Sequence, residues 1–215
     1  MNRPARVAVL ISGQGTNLQA IMDANTIGDI DVEFAVVISN KEDAYGLIRA
    51  EQQGIPALAL TAEAGESRAS YDQRLHQALS EYQPDIIVLA GFMRILSDEF
   101  VERYLGRMVN IHPSLLPKYP GLNTHQKAID NGDEEHGASV HFVTPQLDSG
   151  PVILQAKVPV FADDDVTSLS ERVHVQEHSI YPLVVKWLSQ QRVQLKDGQA
   201  WLDDQPLPPS GYAAD

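Results

Sequence analysis

The sequence contains no cysteine among its 215 residues. The missing thiols exclude disulfides, thiolate catalysis and any zinc site built on sulfur, so only histidine and carboxylate side chains could hold a metal. Long apolar runs are also missing. The longest reach five residues, as at 86–90, whereas a helix needs about 20 to span a bilayer. The sequence therefore predicts a protein that is not integral to a membrane.

Basic residues are scarce: 16 lysines and arginines stand against 29 aspartates and glutamates, for a formal net charge of −13. This charge repels polyanions at long range, so we expect no nucleic acid partner. A small anionic substrate remains compatible with it, because a few cations and a helix N-terminus can reverse the potential locally. The first residues lack the apolar region and cleavage site of a signal peptide, so we expect a cytoplasmic location.

Apolar segments alternate with helix-like segments along the first half of the chain, which is typical of a parallel sheet flanked by helices. Strands are predicted near 6–11, 33–38, 56–60, 85–90 and 108–111. Helices are predicted near 16–24, 43–53, 68–81 and 98–104, with Ser67 and Ser97 as N-cap residues. The pattern indicates an α/β fold with a Rossmann-like, mostly parallel sheet flanked by helices.

The second half adds loops, strands and a long helix to this unit. A segment rich in proline and glycine precedes the further predicted elements: a short helix near 124–131, strands at 138–143 and 152–158, a helix near 167–190, and a hairpin at 193–202 that turns at Asp197-Gly198. We find no internal repeat and no linker. We therefore expect a single domain over 1–215, with a phosphate-binding α/β half at 1–111 and the loops, added strands and C-terminal helix at 112–215.

The motif Ser12-Gly13-Gln14-Gly15-Thr16-Asn17 follows the first predicted strand and opens the first predicted helix. Backbone N–H groups and the helix dipole can hold a phosphate at such a position. A dinucleotide fingerprint would need glycine where the chain has Leu18, and an acidic residue where the second strand ends in Ser39-Asn40-Lys41. The motif favours phosphate binding over dinucleotide binding, and a tight turn without a ligand is the alternative.

Three polar residues in the middle of the chain indicate a catalytic set. Asn110 and His112 end a predicted strand, so their side chains project to the same side, at the edge where open α/β sheets bind ligands. Asp148 lies in the turn-forming segment 147–151 and could supply a carboxylate that orients the imidazole and favours its charged form. Each residue alone could serve only a turn or a loop. Their combination favours catalysis.

A competing signal lies at 174–178, where His174-Val175-Gln176-Glu177-His178 matches the His-x-x-Glu-His pattern of inverted zinc peptidases. Two histidines four residues apart share a helix face and could chelate zinc. No third ligand follows nearby, and little chain remains for a peptidase fold. We therefore expect no metal here, and interpret the segment as a solvated face or as a sugar contact through Glu177.

Four segments carry a resemblance to a known family: Ile11-Ser12-Gly13, residues 91–96, the run Asn-Ile-His-Pro-Ser-Leu-Leu-Pro at 110–117, and residues 150–153. With them, the chain resembles the phosphoribosylglycinamide formyltransferases from Val7 to Tyr212. These are folate-dependent enzymes of purine synthesis. The run at 110–117 is a specific sign of the wider formyltransferase superfamily. The compact length and the Gly150-Pro151 turn favour this branch of it.

The resemblance implies a reaction and its participants. The cosubstrate would be 10-formyltetrahydrofolate, with no metal, and the acceptor would be the amine of glycinamide ribonucleotide. The products would be formylglycinamide ribonucleotide and tetrahydrofolate, in de novo purine (IMP) synthesis. The enzyme would be a monomer or a homodimer that acts on small molecules. An amine that attacks a formyl carbon creates an oxyanion, which donors of the asparagine and charged-histidine types can stabilise.

The resemblance also implies roles for individual residues. Asn110, His112 and Asp148 would be catalytic, with Asp148 supporting His112. Gly15, Thr16 and Asn17 would bind the substrate phosphate, and Glu177 its ribose. The residues implied for the folate pocket are Arg68, Met93, Arg94, Ile95, Leu96, Asn110 and the loop from Val143 to Asp148.

The chain departs from the family pattern at three positions. Ser149 stands where a glycine often follows the catalytic aspartate, and we expect it to stiffen the Asp148 loop. Gln14 and Thr16 stand where asparagine and serine are common, and these changes should be tolerated. A 10-formyltetrahydrofolate hydrolase and a non-catalytic folate-binding or phosphate-binding module remain as alternatives. The intact catalytic set argues against the module.

Overall fold

The computed structural model describes residues 3–212, which form ten strands and six helices. The strands are β1 (Ala5–Ile11), β2 (Val32–Ser39), β3 (Ala57–Ala59), β4 (Ile86–Leu89), β5 (Met108–His112), β6 (Glu135–Phe142), β7 (Val152–Pro159), β8 (Val193–Lys196), β9 (Gln199–Leu202) and β10 (Gln205–Pro206). The helices are α1 (Thr16–Thr26), α2 (Tyr45–Gln52), α3 (Arg68–Tyr82), α4 (Asp98–Arg103), α5 (Thr124–Asp130) and α6 (Val166–Ser189).

Seven strands form a mixed sheet in the order β3-β2-β1-β4-β5-β6-β7, and the last three strands form a separate antiparallel sheet. The pairs β1–β2, β1–β4 and β2–β3 are parallel, whereas β6–β7 is antiparallel. The predicted α/β fold with a Rossmann-like sheet is thereby confirmed. The described part of the chain divides into two compact units, with the division between Val109 and Asn110.

The first unit is built around the buried strand β1. Its residues Val7–Ile11 are fully buried, and most residues of the neighbouring strand β2 are buried as well. A parallel strand covered on both faces needs a continuous apolar sequence, and the sequence has such runs here. The predicted caps of α3 and α4 are confirmed: the N–H of Ser70 donates to Ser67 Oγ (3.2 Å), and the N–H of Phe100 donates to Ser97 Oγ (3.3 Å).

The second unit packs the long helix α6 on the antiparallel pair β6–β7. The helix buries an apolar stripe at helical spacing that includes Leu169, Val173, Ile180, Val184 and Leu188. Its N-terminus carries a capping box, in which Asp165 accepts from the N–H of Ser168 (2.8 Å) while Ser168 Oγ accepts from the N–H of Asp165 (3.0 Å).

The predicted hairpin after α6 is confirmed as β8–β9. Asp197 and Gly198 at its turn have φ values of 51° and 72°, as a type I′ turn requires. The pairing of β10 with β9 was not predicted, because two residues are too short to show a strand period. No helix in the described part of the chain combines the length and apolar character that a membrane crossing needs.

Candidate active site

The turn between β1 and α1 is shaped by glycine. Gly15 is the N-cap residue of α1 with a φ of 71°, in the left-handed region that favours glycine. A Cβ on Gly15 would lie 2.7 Å from the Cα of Gly46 in α2, and a Cβ on Gly46 would clash with the side chain of Ile11. The N–H of Gly46 also donates to the carbonyl of Gly13 (3.0 Å). The loop is therefore held against α2 by close backbone packing.

This turn presents the N-terminus of α1 without an opposing charge. No acidic residue lies in the first turn of the helix. Thr16 is exposed, and Gly15 and Asn17 are half-buried. The partial positive charge of the helix N-terminus is therefore accessible, as an anion site requires.

The segment 93–96, predicted to contact folate, follows β4 in the first unit. Met93 and Ile95 are 62% and 54% exposed, while Leu96 is buried. The Arg94 guanidinium lies 3.7 Å from the ring centroid of Tyr71, a cation–π contact. Arg68, the other predicted folate residue of this unit, is exposed at the first position of α3.

The position of this segment depends on a serine that the sequence analysis did not single out for this role. The N–H of Met93 donates to Ser12 Oγ (2.7 Å), and Ser12 Oγ donates to Asn40 Oδ1. Ser12 is 5% exposed. Both side chains follow neighbouring parallel strands, and that juxtaposition is the signal from which this bridge could have been predicted.

His112 ends β5 and is 6% exposed. Its Nε2 lies 2.8 Å from the carbonyl oxygen of Tyr119. A carbonyl can only accept, so Nε2 carries a hydrogen and donates it. The other ring nitrogen, Nδ1, faces Asp148 Oδ2 at 3.6 Å, which is within ion-pair reach but too long for a direct hydrogen bond. Nδ1 is therefore the ring nitrogen that faces the carboxylate without a direct hydrogen bond to it.

Asp148 lies in the turn between β6 and β7, which starts at the half-buried Val143. Its side chain is 8% exposed, and its Oδ2 accepts from the N–H of Gly121 (2.8 Å) as well as facing His112. The Asp148 backbone has a φ of 48°, a left-handed conformation that aspartate tolerates better than most residues. Ser149 Oγ donates to the carbonyl of Leu147 (2.9 Å), a hydrogen bond within this turn that glycine could not make.

The loop that supplies the Tyr119 carbonyl is braced by side-chain hydrogen bonds. Ser114 Oγ donates to the carbonyl of Lys118 (2.6 Å), and Ser139 Oγ of β6 donates to the carbonyl of Ser114 (2.6 Å). The hydroxyl of Tyr119 donates to Asp133 Oδ2 (2.7 Å). The partner of His112 is therefore fixed from both ends of the loop.

Asn110 projects from the middle of β5 and is half-buried. Its Nδ2 lies 3.4 Å from Nε2 of His141 in β6. His141 is 2% exposed, and its Nδ1 lies 2.9 Å from the carbonyl oxygen of Phe142. Burial lowers the pKa of His141, which keeps the ring neutral. His141 was not predicted from the sequence, although a histidine between Val140 and Phe142 in the predicted strand 138–143 was a signal for it.

Glu177 is buried on α6 with an exposed fraction of 5%. His174 Nε2 lies 4.0 Å from Glu177 Oε2, and the rings of His174 and His178 stack with centroids 6.4 Å apart. Within residues 3–212, no three histidine or carboxylate side chains are grouped as a metal site would require.

A second histidine pair lies beside the Tyr119 loop. His125 Nδ1 and His136 Nε2 are 3.0 Å apart, and their rings meet edge to face. Burial lowers the pKa of His125 to about 4, and it lowers that of His136 as well. Both rings are neutral near pH 7, so one can donate a hydrogen bond to the other.

The structure thus brings Asn110, His112 and Asp148 together within the second unit. Asn110 contacts His141 of β6, His112 contacts the Tyr119 carbonyl, and Asp148 contacts the Gly121 N–H and faces His112. Two of these contacts are to backbone groups, the Tyr119 carbonyl and the Gly121 N–H. The arrangement provides an amide donor, an imidazole with one uncommitted nitrogen and a carboxylate. These groups can stabilise an oxyanion and move a proton.

Known proteins are similar to this chain in sequence and in fold. A family model described as formyl transferase matches residues 5–185. A phosphoribosylglycinamide formyltransferase of Escherichia coli (strain K12) is 59% identical over 209 residues, which cover 97% of this chain and 99% of that protein. One of Haemophilus influenzae is 51% identical over 208 residues, which cover 97% of this chain and 98% of that protein.

Solved structures agree with the sequence relatives. The structure of a phosphoribosylglycinamide formyltransferase from Coxiella burnetii superposes on this chain with a TM-score of 0.94 at 49% sequence identity. The aligned region covers 98% of this chain and 99% of the Coxiella chain. The resemblance inferred from the sequence motifs is confirmed. The chain belongs to the formyl transferase family.

Proposed function

We propose that this chain transfers the formyl group of 10-formyltetrahydrofolate to the amine of glycinamide ribonucleotide. The products are formylglycinamide ribonucleotide and tetrahydrofolate, in de novo purine synthesis. Relatives named phosphoribosylglycinamide formyltransferase, aligned over nearly the full chain, support this proposal. The observation that carries its chemistry is the set of Asn110, His112 and Asp148, with His112 Nδ1 directed at Asp148.

The first step in this proposal is attack of the substrate amine on the formyl carbon. A carbon–nitrogen bond forms, and the carbonyl electrons move to oxygen, which becomes an oxyanion. Asn110 and protonated His112 donate to this oxygen. The Asp148 carboxylate, whose Oδ2 lies 3.6 Å from Nδ1 of His112, places a negative charge beside the imidazole ring during this step.

In the second step the electrons of the oxyanion re-form the carbonyl, and the bond between the formyl carbon and the folate nitrogen breaks. The attacking amine loses a proton, and the departing nitrogen gains one. Because Nε2 of His112 is committed to the Tyr119 carbonyl, proton movement at this ring takes place at Nδ1. The transfer passes through this atom or through water held by Asp148.

The remaining predicted residues receive binding roles in the same proposal. Gly15, Thr16 and Asn17 hold the substrate phosphate at the N-terminus of α1, and Glu177 contacts the ribose. The folate contacts are assigned to Arg68, residues 93–96, Asn110 and the 143–148 loop. The exposed apolar side chains of Met93 and Ile95 support a contact with a flat aromatic ring system.

Formyl transfer assayed with and without glycinamide ribonucleotide tests the proposal. We expect folate turnover only with the ribonucleotide, and we expect His112→Ala to lower kcat by about a hundredfold or more because an oxyanion donor is lost. His76→Ala in α3 is the matched control and should keep the wild-type rate. Equal folate turnover without the ribonucleotide would indicate a hydrolase. Absence of turnover would indicate a binding module.

A further inference from the structure

We infer that His141 is a positioning residue, which holds the amide of Asn110 in the one orientation that offers a hydrogen to the reacting oxygen. The effect on catalysis rests on the proposed formyl transfer. The orientation itself rests only on the contacts of His141. Neither the sequence motifs nor the implied catalytic set includes this residue.

The tautomer of His141 follows from its two contacts. Nδ1 lies 2.9 Å from the carbonyl oxygen of Phe142, which can only accept, so Nδ1 carries the ring hydrogen. In a neutral imidazole the other nitrogen then has a lone pair and no hydrogen. Nε2 of His141 is therefore an acceptor directed at Asn110.

This acceptor decides which way the Asn110 amide points. At 3.4 Å from Nε2, a distance at the long end of the hydrogen-bond range, the amide nitrogen can donate. The opposite rotamer would set the amide oxygen against a lone pair, and two acceptors facing each other repel. One N–H of Asn110 is used by His141, and the second N–H remains for an oxyanion.

Burial keeps this arrangement from changing near neutral pH. His141 is 2% exposed, so its charged form is disfavoured by loss of hydration. The hydrogen bond to the Phe142 carbonyl and the charge of Asp148 act on its pKa in the opposite direction, and His112 acts in the same direction as burial. The desolvation is the largest of these effects, so the ring remains an acceptor.

Two substitutions at His141 distinguish the role of Nε2 as a hydrogen-bond acceptor from the packing of the side chain. His141→Leu removes the acceptor and should lower kcat by about ten- to a hundredfold with little change in KM, as loss of a supporting contact does. His141→Gln places an amide oxygen near the position of Nε2 and should recover most of the rate. Val140→Ala, a buried neighbour on β6, controls for loosening of the strand and should keep kcat. A wild-type kcat in His141→Leu, or equal losses in the Leu and Gln variants, would overturn the inference.

The tautomer can be measured without any substrate. Nitrogen-15 NMR of the imidazole ring should report His141 as neutral, with hydrogen on Nδ1. A hydrogen on Nε2, or a charged ring at pH 7, would overturn the inference even if the protein is an active transferase. Conversely, an absent transferase activity with the expected tautomer would contradict the proposed function and leave the assigned orientation supported.

Discussion

The two ring nitrogens of His112 are in different situations, and this difference decides what the residue can do. Nε2 is held by the Tyr119 carbonyl at 2.8 Å, while Nδ1 faces the carboxylate of Asp148 at 3.6 Å. The carboxylate also accepts from the N–H of Gly121. The charge of Asp148 and its hydrogen bond to the loop are therefore two separable properties.

Asp148→Asn separates them, because an asparagine oxygen can still accept from Gly121 while the negative charge is lost. We expect kcat to fall by about a hundredfold or more, since the negative charge that faces Nδ1 of His112 is lost. Steady-state kinetics measures this effect. Asp204→Asn, at an exposed position of the turn between β9 and β10, is the control.

An unchanged kcat in Asp148→Asn would remove this residue from the mechanism. A loss of rate that is accompanied by an equal loss in Asp204→Asn would point to a general effect of the altered net charge instead.

The side chains of the candidate site could be predicted from the sequence, whereas the backbone groups that contact them could not. Asn110, His112 and Asp148 were predicted because strand ends and turn residues are visible in a sequence. The Tyr119 carbonyl and the Gly121 N–H belong to a loop whose path is set by side-chain braces, and any residue type could supply these groups. His141 was overlooked because its role depends on which strand lies beside β5.

The bounds of helix α6 follow from features of its local sequence. Its apolar spacing predicted a helix near 167–190, and the structure has it at Val166–Ser189. The N-terminus is fixed by the reciprocal hydrogen bonds of Asp165 and Ser168. Backbone N–H donation from Ser168, the largest cause, lowers the pKa of Asp165.

We predict that Asp165→Ala lowers Tm by about 2–4 °C, because the helix loses a capping acceptor. Thermal unfolding followed by circular dichroism measures the change. Asp163→Ala removes a nearby charge without removing the cap and should leave Tm close to that of the wild type. Equal shifts in the two variants would show that charge, and not capping, is the cause.

The boundaries of other helices and strands were predicted less accurately from the sequence. A helix was predicted from position 43, but α2 begins at Tyr45, where Ala44 offers no side-chain cap to mark the start. Strand β3 has only three residues, so its predicted range of 56–60 was too long. Short elements take their ends from neighbouring strands and helices, which a sequence does not display.

Across the whole molecule, several histidines couple folding to pH below about 6.5, the ordinary pKa of the imidazole. Five of the seven have a lowered pKa, and desolvation by burial is the largest cause in each: His76, His125, His136, His141 and His178. When the protein unfolds, these rings return to their ordinary pKa near 6.5. The unfolded chain therefore binds more protons than the folded one below that pH.

The free energy of unfolding should consequently fall as pH is lowered from about 6.5 towards 4, the pKa of folded His125. Urea unfolding at pH 7, 6 and 5 measures the slope. His125→Asn keeps an amide near the position of Nδ1 but cannot titrate, so its slope should be shallower. A variant slope equal to that of the wild type would contradict the assignment to His125.

The close packing of Gly15 on Gly46, and of Gly46 on Ile11, restricts how this chain can evolve. A side chain larger than hydrogen at Gly15 meets backbone, and one at Gly46 meets the buried end of β1. Neither glycine can be replaced alone, because a larger side chain at one of them requires a simultaneous change at the residue that packs against it. The turn between β1 and α1 should therefore be inherited together with its packing partners as a unit of three positions, Ile11, Gly15 and Gly46, while exposed residues of the turn such as Gln14 remain free to vary.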